Sequence, residues 1–372
     1  MKTIDLVSNI ERTSRVMQIE GMFGLDSSDK SVTKIPFEVP DLTNKDWNVG
    51  LIVGPSGAGK STIAKELFQE ELSLTENLKW SKDKSVVDEF PETMTIKEIT
   101  ELLSSVGFSS PPAWLRSFTQ LSNGEQFRVN MARLIAEQKD ICVVDEFTSV
   151  IDRTVAKIGS HAIAKTIRNK NKKFVAVTCH ADVTEWLQPD WIYEPITGLF
   201  TWRSLQPRPE VNLEIVRTTY KAWSFFSRHH YLDHELNNAA TVFVGFIDNQ
   251  PACLCAILPL PHHSIKNAWR ISRLVVLPDF QGIGLAQKFM NVIAGSYKEL
   301  DKSLYITTSH PALIYSLNRS ENWSMRRKPT NASKVGKTST AKAFANTNSN
   351  SRLTASFKYA GDTNKILCEM IG

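Results

Sequence analysis

Gly54-Pro55-Ser56-Gly57-Ala58-Gly59-Lys60-Ser61 is a glycine-rich octet set between the apolar run at residues 49–53 and the helically spaced Ser61-Thr62-Ile63-Ala64-Lys65-Glu66-Leu67-Phe68. G-x-x-x-x-G-K-S at a strand-to-helix junction is the spacing of a phosphate-binding loop. Its glycines, here Gly54, Gly57 and Gly59, let backbone amides close around phosphate oxygens at the positive end of a helix. In that cradle Lys60 reaches the β- and γ-phosphates of a nucleotide and the Ser61 hydroxyl ligates Mg²⁺, with Ser56 and Thr62 lining it. The stretch therefore predicts a buried parallel strand, a helix, and binding of ATP with Mg²⁺.

At 372 residues the chain is long enough for two or three domains. No apolar run approaches the roughly 18 residues of a membrane-spanning helix, and residues 1–25 mix charge with apolar residues, so no membrane partner and a cytoplasmic location are expected. The five cysteines, Cys142, Cys179, Cys253, Cys255 and Cys368, are odd in number and lie mostly in strand-like runs, the pattern of reduced core thiols. The net charge of +5 hides an asymmetry: residues 1–204 hold 24 Lys and Arg against 28 acids, residues 205–372 hold 20 against 11. A basic second half points to a polyanionic partner, nucleic acid, a basic surface that simply confers solubility being the alternative.

Residues 1–34 form an N-terminal extension without legible chemistry. Residues 35–42 suggest a proline-interrupted edge strand, with Phe37 and Trp47 as aromatics that either stack on adenine or pack in the core. Residues 85–90 suggest a strand and residues 96–106 an amphipathic helix. Then follow Leu121-Ser122-Asn123-Gly124-Glu125-Gln126 before a helical pattern, Ile141-Cys142-Val143-Val144-Asp145-Glu146, Ser149-Val150-Ile151-Asp152, and a strand-like run ending at His180. Over residues 35–204 this ordered set resembles the ABC-type ATPases. The resemblance implies that Ser122 and Gly124 meet the γ-phosphate of a second subunit's ATP, that Asp145 holds Mg²⁺, and that Glu146 is the general base for water. It also implies that His180 senses the γ-phosphate, and that a homodimer forms through these domains. Asn123 replaces the family's usual glycine. No glutamine stands where the family has its Q-loop, leaving Asp88 or Glu89 in that place.

Beyond a linker at residues 207–209, residues 213–228 have helical spacing, and residues 240–247 and 252–258 predict a hairpin. A third strand at residues 269–277, including Val276, runs into Gln281-Gly282-Ile283-Gly284-Leu285-Ala286 and a helix. A strand at residues 303–308 and a helix with Tyr315 follow. This order, over residues 205–325, resembles the GNAT acyltransferases. The resemblance implies that the loop cradles the pyrophosphate of acetyl-CoA or another acyl-CoA and that Tyr315 protonates the departing thiolate; a tyrosine packed on a helix face is the alternative.

Residues 226–232, with His230 and Tyr231, and Ile271-Ser272-Arg273-Leu274 resemble elements of the Mom-type DNA-modifying enzymes, which implies that His230 and Tyr231 face an acceptor base with Arg273 nearby; a solvated helix end is the alternative. His230 and His234 are one helical turn apart but lack a third metal ligand. Residues 326–372 form a basic tail rich in Ser, Thr and Asn. Eight Lys or Arg and no acid fall between residues 322 and 361, too polar for a core of their own. They suit an extended arm on phosphate or a disordered tail.

The expected fold class is thus α/β, a P-loop ABC-type ATPase domain followed by a GNAT-like α/β domain. The expected function is ATP hydrolysis joined to a GNAT-like acyltransferase half that modifies a nucleic-acid base, as in phage-type DNA modification. An acetyltransferase for a protein or tRNA amine, and a nucleic-acid-binding ATPase with a non-catalytic GNAT module, are the alternatives.

Overall fold

The structure, a computed structural model, describes residues 2–9, 11–24, 30–37, 40–43, 45–138, 140–203, 211–230, 235–261, 265–331 and 353–371. The chain runs β1 (Lys2–Asn9), α1 (Ser14–Phe23), β2 (Lys30–Phe37), β3 (Val49–Val53), α2 (Lys60–Leu67), α3 (Gln69–Glu76), α4 (Ile96–Ser105), α5 (Pro111–Trp114) and α6 (Asn123–Glu137). Next come β4 (Ile141–Val144), α7 (Arg153–Asn169), β5 (Lys173–Thr178), α8 (Val183–Leu187), β6 (Trp191–Glu194) and β7 (Leu199–Trp202). It continues with β8 (Glu214–Thr218), α9 (Trp223–Phe226), β9 (Thr241–Ile247), β10 (Gln250–Pro259), β11 (Ala268–Val276) and α10 (Leu285–Glu299). It ends with β12 (Ser303–Thr308), α11 (Pro311–Asn318), β13 (Trp323–Asn331), β14 (Leu353–Tyr359) and α12 (Cys368–Ile371). Packing gathers Met1–Lys79, Gln138–Val150 and Ala164–Arg208 into one compact unit, and Trp80–Glu137, Ile151–Ile163 and Pro209–Gly372 into a second.

In the first unit five strands take the order β4-β5-β3-β6-β7, parallel except for β7. β3 is Val-Gly-Leu-Ile-Val, apolar at nearly every position because both faces of a parallel sheet are covered. Its glycine is obligatory: a Cβ on Gly50 would lie 2.1 Å from Cζ2 of Trp191, the residue paired with it on β6. Trp191 meets Trp47 edge to face at 5.5 Å, and Phe37 meets Tyr193 at 6.5 Å. Phe37 and Trp47 are therefore buried core aromatics, not an adenine platform.

The second unit holds a seven-stranded sheet of order β13-β14-β12-β11-β10-β9-β8, antiparallel except for β11 with β12. That parallel pair is bonded from Ala268↔Ser303 to Ile271↔Ile306, and the last five residues of β11 lie beyond the paired stretch. α10 packs its buried face, including Phe289, Met290 and Ile293, into the core beneath the sheet. α4 starts with a reciprocal cap between Thr95 and Glu98 and presents Ile99, Leu102 and Leu103 inward.

Three expectations are corrected. Residues 85–90 form no strand but a 3₁₀ turn at Val86–Glu89, closed by Ser85 Oγ donating to Asp88 at 2.6 Å and Ser81 N donating to Glu89 at 3.0 Å; local side-chain bonds override the two β-branched valines. Residues 213–228 are not one helix, because Glu214-Ile-Val-Arg-Thr218 pairs with β9 and only a short helical turn follows. The segment from 326 is not simply a tail: β14 lies between β12 and β13, and its Ala355 and Phe357 are wholly buried in the shared core. Lys334, Lys337, Lys342 and Arg352 lie outside the described residues, as do Tyr231 and His234.

Candidate functional site

The strand order β4-β5-β3 brings the carboxyl ends of three parallel strands to one edge, the place where open α/β sheets bind ligands. The loop after β3 turns through Gly57 at φ 80° and Gly59 at φ 82°, left-handed values that glycine tolerates. A Cβ at Gly57 would meet nothing within 4 Å, so the loop has an open mouth. Lys60 Nζ donates across it to the Pro55 carbonyl at 2.8 Å. Ser56 and Ser61 are exposed and Thr62 is half-buried.

Beyond β4, Asp145 Oδ1 accepts the Glu146 amide at 2.8 Å, and Glu146 is exposed in the left-handed region at φ 50°. The turn is anchored by Phe147 N donating to Val177 O at 2.8 Å. Thr178, at the end of β5, ties the rest together. Its carbonyl accepts Gly54 N at 3.4 Å, and its hydroxyl accepts the amide of His180 at 3.2 Å. Phosphate loop, carboxylate pair and His180 thus share one edge; Thr178, a hidden strand-end residue, carries no motif that would have singled it out. The residues fit ATP and Mg²⁺: an open amide cradle, an exposed serine hydroxyl, and an aspartate oxygen left over from the turn.

In the second unit Ser122 and Glu125 cap α6 reciprocally, Ser122 N donating to Glu125 Oε2 at 2.9 Å and Glu125 N to Ser122 Oγ at 3.4 Å. Ser122 and Asn123 stay exposed and Gly124 half-buried. Gln126 Nε2 donates to the carbonyls of Phe118 and Leu121, fixing the turn before the helix. Of the two acids weighed for the missing glutamine, Glu89 pairs with Arg133 at 3.4 Å and Asp88 accepts Ser85.

No family model matches the chain. The oligopeptide transport ATP-binding protein OppD of Lactococcus lactis subsp. cremoris (strain SK11) is 25% identical over 181 residues, covering 45% of this chain and 54% of that protein. The chain is therefore similar to about half the length of OppD. The cell division ATP-binding protein FtsE of Bacillus subtilis (strain 168) is 26% identical over 174 residues, covering 33% of this chain and 74% of that protein. Over these stretches the chain is similar to the two ATP-binding proteins. The solved dimeric structure of MJ0796, a bacterial ABC transporter cassette, is 17% identical, with 47% of this chain and 93% of that one covered at a TM-score of 0.36. Among the described residues no helix is long and apolar enough to cross a membrane.

Besides the glycine-rich loop at residues 54–61, a second glycine-rich loop joins β11 to α10. Gly284 caps the helix at φ 81°, and a Cβ added there would meet nothing within 4 Å, which leaves an open approach to the first amides of α10; Ala286 is half-buried in its first turn. Gln281 and Gly282 are engaged elsewhere. Gln281 Oε1 accepts Ser109 N at 2.6 Å while its Nε2 donates to the Val276 carbonyl at 2.8 Å. Gly282, at φ 91°, lies against Gly107, also at φ 91°; a Cβ on Gly282 would stand 2.9 Å from the Gly107 Cα.

Arg128 of α6, fully buried at 0% exposure, donates Nη1 to the Pro278 carbonyl and Nη2 to the Asp279 carbonyl at 2.9 Å. Burial pulls its pKa down to about 10, against the attraction of Asp279 and Glu125. His310 Nε2 lies 2.9 Å from the Ser109 carbonyl. Sequence reasoning passes over Arg128, Ser109 and His310, although an arginine inside the apolar face of α6 is a usable signal.

Tyr315 is 49% exposed on α11, its hydroxyl accepting from Arg319 Nη1 at 2.5 Å. His230 is buried, its ring 5.5 Å from that of Trp223, and the Arg273 guanidinium stands over the same indole at 5.9 Å. Arg273 is further held by the carbonyls of Ser272 and Glu235. Trp223 is thus the residue that gathers His230 and Arg273, and no sequence motif singles it out.

Proposed function

We propose that the cassette binds and hydrolyses ATP with Mg²⁺ between two copies of this chain, and that the second unit is a GNAT-like acyltransferase acting on a nucleic-acid base, DNA favoured, as in phage-type DNA modification. The observation that carries the ATP reading is the meeting of the phosphate loop, Asp145, Glu146 and His180 at one sheet edge, organised by Thr178. Gly54, Ser56, Gly57, Gly59 and Lys60 hold the phosphates, and Thr62 continues the cradle into the helix. Ser61 and Asp145 would hold Mg²⁺, which would neutralise phosphate charge. Glu146 takes the proton of the attacking water and His180 contacts the γ-phosphate. Ser122 and Gly124 serve the nucleotide of the second copy, which requires the dimer.

The acyl-transfer reading rests on the open Gly284 turn at the head of α10, reached from a parallel pair whose bonding stops at Ile271. There the free amides from Gly284 to Ala286 would hold an acyl-CoA pyrophosphate. The acceptor nitrogen forms the new C–N bond as the thioester C–S bond breaks; His230 takes the nitrogen's proton and Tyr315 supplies one to the thiolate. The basic second half attracts the polyanion, and the Trp223 cluster lies beside His230.

A second reading, a non-catalytic module, is favoured by Gln281 and Gly282 being spent on Ser109 and Gly107. Nucleoside mass spectrometry of DNA and RNA incubated with the protein, ATP, Mg²⁺ and acetyl-CoA separates the readings. A nucleoside one acetyl group heavier, absent with Gly284→Glu, supports base modification. Acetylated protein or tRNA amine in its place supports the ordinary acetyltransferase. No product from a protein with intact ATPase activity supports the non-catalytic module.

A further inference from the structure

The second unit contains a seam that neither an ATPase nor an acyltransferase needs alone. α6 begins at the turn of Ser122 and Gly124, which the two-copy ATP reading above assigns to a phosphate. Six residues on, about 9 Å along the same helix, Arg128 grips the two carbonyls that begin the second glycine-rich loop, Pro278 and Asp279. Its Nε finds no acceptor among the described residues, so the side-chain hydrogen bonds of the buried guanidinium go to those two carbonyls. The loop is pinned at two further points, Ser109 N on Gln281 and the backbone contact of Gly107 with Gly282, while His310 in turn holds the Ser109 carbonyl. Asp279 also turns its carboxylate back toward the start of α6, with Oδ1 3.6 Å from the place a Cβ on Gly124 would occupy.

We propose that Arg128 and Asp279 are positioning residues that make the shape of the loop at residues 278–284 depend on nucleotide at the α6 turn. An anionic phosphate arriving at Ser122 and Gly124 meets the Asp279 carboxylate at close range and repels it. Because Arg128 ties the Asp279 backbone to the same helix, the loop responds as a unit and the Gly284 turn moves with it. The consequence rests on the acyl-CoA reading above: ATP would gate the acyl-donor site. The loop's response to ATP, by contrast, can be measured without any acyl-CoA.

Hydrogen exchange of the full-length protein, followed by mass spectrometry on peptides covering residues 278–286, reads that response directly. Saturating ATP and Mg²⁺ with Glu146→Gln, which stops turnover, should change exchange in these peptides by about tenfold, the effect of one charge-assisted hydrogen bond. Asp279→Asn, which keeps both carbonyls held by Arg128, should leave apo exchange unchanged and abolish the ATP response. Arg128→Lys should retain part of the response and Arg128→Met none. A merely structural arginine would raise exchange throughout α6 and β11 in Arg128→Met and leave the Asp279→Asn response intact. An ATP response that persists in Asp279→Asn, or its absence in the parent protein while ATP binding is demonstrated, overturns the proposal. A separate acetyl-CoA titration with and without ATP then tells whether failure lies here or in the acyl-CoA reading: a response at residues 278–286 without any acetyl-CoA binding keeps the coupling and rejects the donor.

Discussion

Gly50→Ala is a single methyl placed where the structure has no room for it. The added Cβ would stand 2.1, 2.3 and 2.7 Å from three atoms of the Trp191 indole, where carbon atoms in contact sit about 3.5–4.0 Å apart. Trp191 must therefore retreat by more than about 1 Å, yet it is 0% exposed and is wedged against Trp47 at 5.5 Å and Phe200 at 5.9 Å. Shifting the backbone instead would break the parallel register of Gly50 with Val175 on one side and Trp191 on the other. The cost should reach the upper end of overpacking, about 3 kcal/mol. For a unit of this size that lowers the Tm by roughly 6–12 °C. Urea and thermal melts of Gly50→Ala, Trp191→Leu and the double variant test this as a cycle. Leucine vacates the contested space, so the alanine should cost little in that background and the coupling should be about 2 kcal/mol. A Gly50→Ala protein within about 0.5 kcal/mol of the parent, or strict additivity in the cycle, would refute the packing argument.

Glu146→Gln should lower the rate of ATP hydrolysis by about 100-fold or more while Asp145 keeps its metal role; phosphate release measures the first effect, and light scattering should find an ATP-trapped dimer, a monomer at saturating ATP contradicting the two-copy site. His310 is held below the ordinary histidine range by burial, against its bond to the Ser109 carbonyl. Its folded value lies below the unfolded one, so the stability it contributes is complete above about pH 6.5 and is lost as pH falls. Denaturant melts across that window should show a slope that His310→Gln flattens, and an equal slope in both proteins would count against the assignment. Removing residues 326–372 should unfold the second unit, since β14 leaves with them. Changing Lys334, Lys337, Lys342 and Arg352 to glutamine isolates their charge, and the salt slope of DNA binding should fall by about one per lost phosphate contact; an unaltered slope removes these four from the interface.

The nucleotide edge was legible because each part of it is a local pattern. Gly57, Gly59 and Lys60 announce a cradle through their spacing, and Asp145 with Glu146 ends an apolar run in two carboxylates, so chain order alone brought these parts of the edge into view. The β9–β10 hairpin, β11, α10 and β12 were equally visible from alternation and helical spacing. Where local signals competed, the sequence misled. Val86 and Val87 favour a strand in isolation, but Ser85 and Glu89 close a 3₁₀ turn around them. β14 is hidden inside a basic, polar segment because its core face is only Ala355, Phe357 and Tyr359, with neighbours supplied by strands far away in the chain.

The seam was beyond the sequence altogether. Arg128 reaches a carbonyl 150 residues away, Gln281 an amide 172 residues away, and His310 a carbonyl 201 residues away. Each of these bonds ends on a backbone atom, and backbone atoms are the same in every residue, so no side-chain pattern can mark the partner. Gln281 shows the consequence most directly. Its place in the motif is legible from sequence, but only the folded chain decides that its amide group is spent on Ser109 and Val276, because that choice depends on which backbone groups the tertiary packing delivers to it.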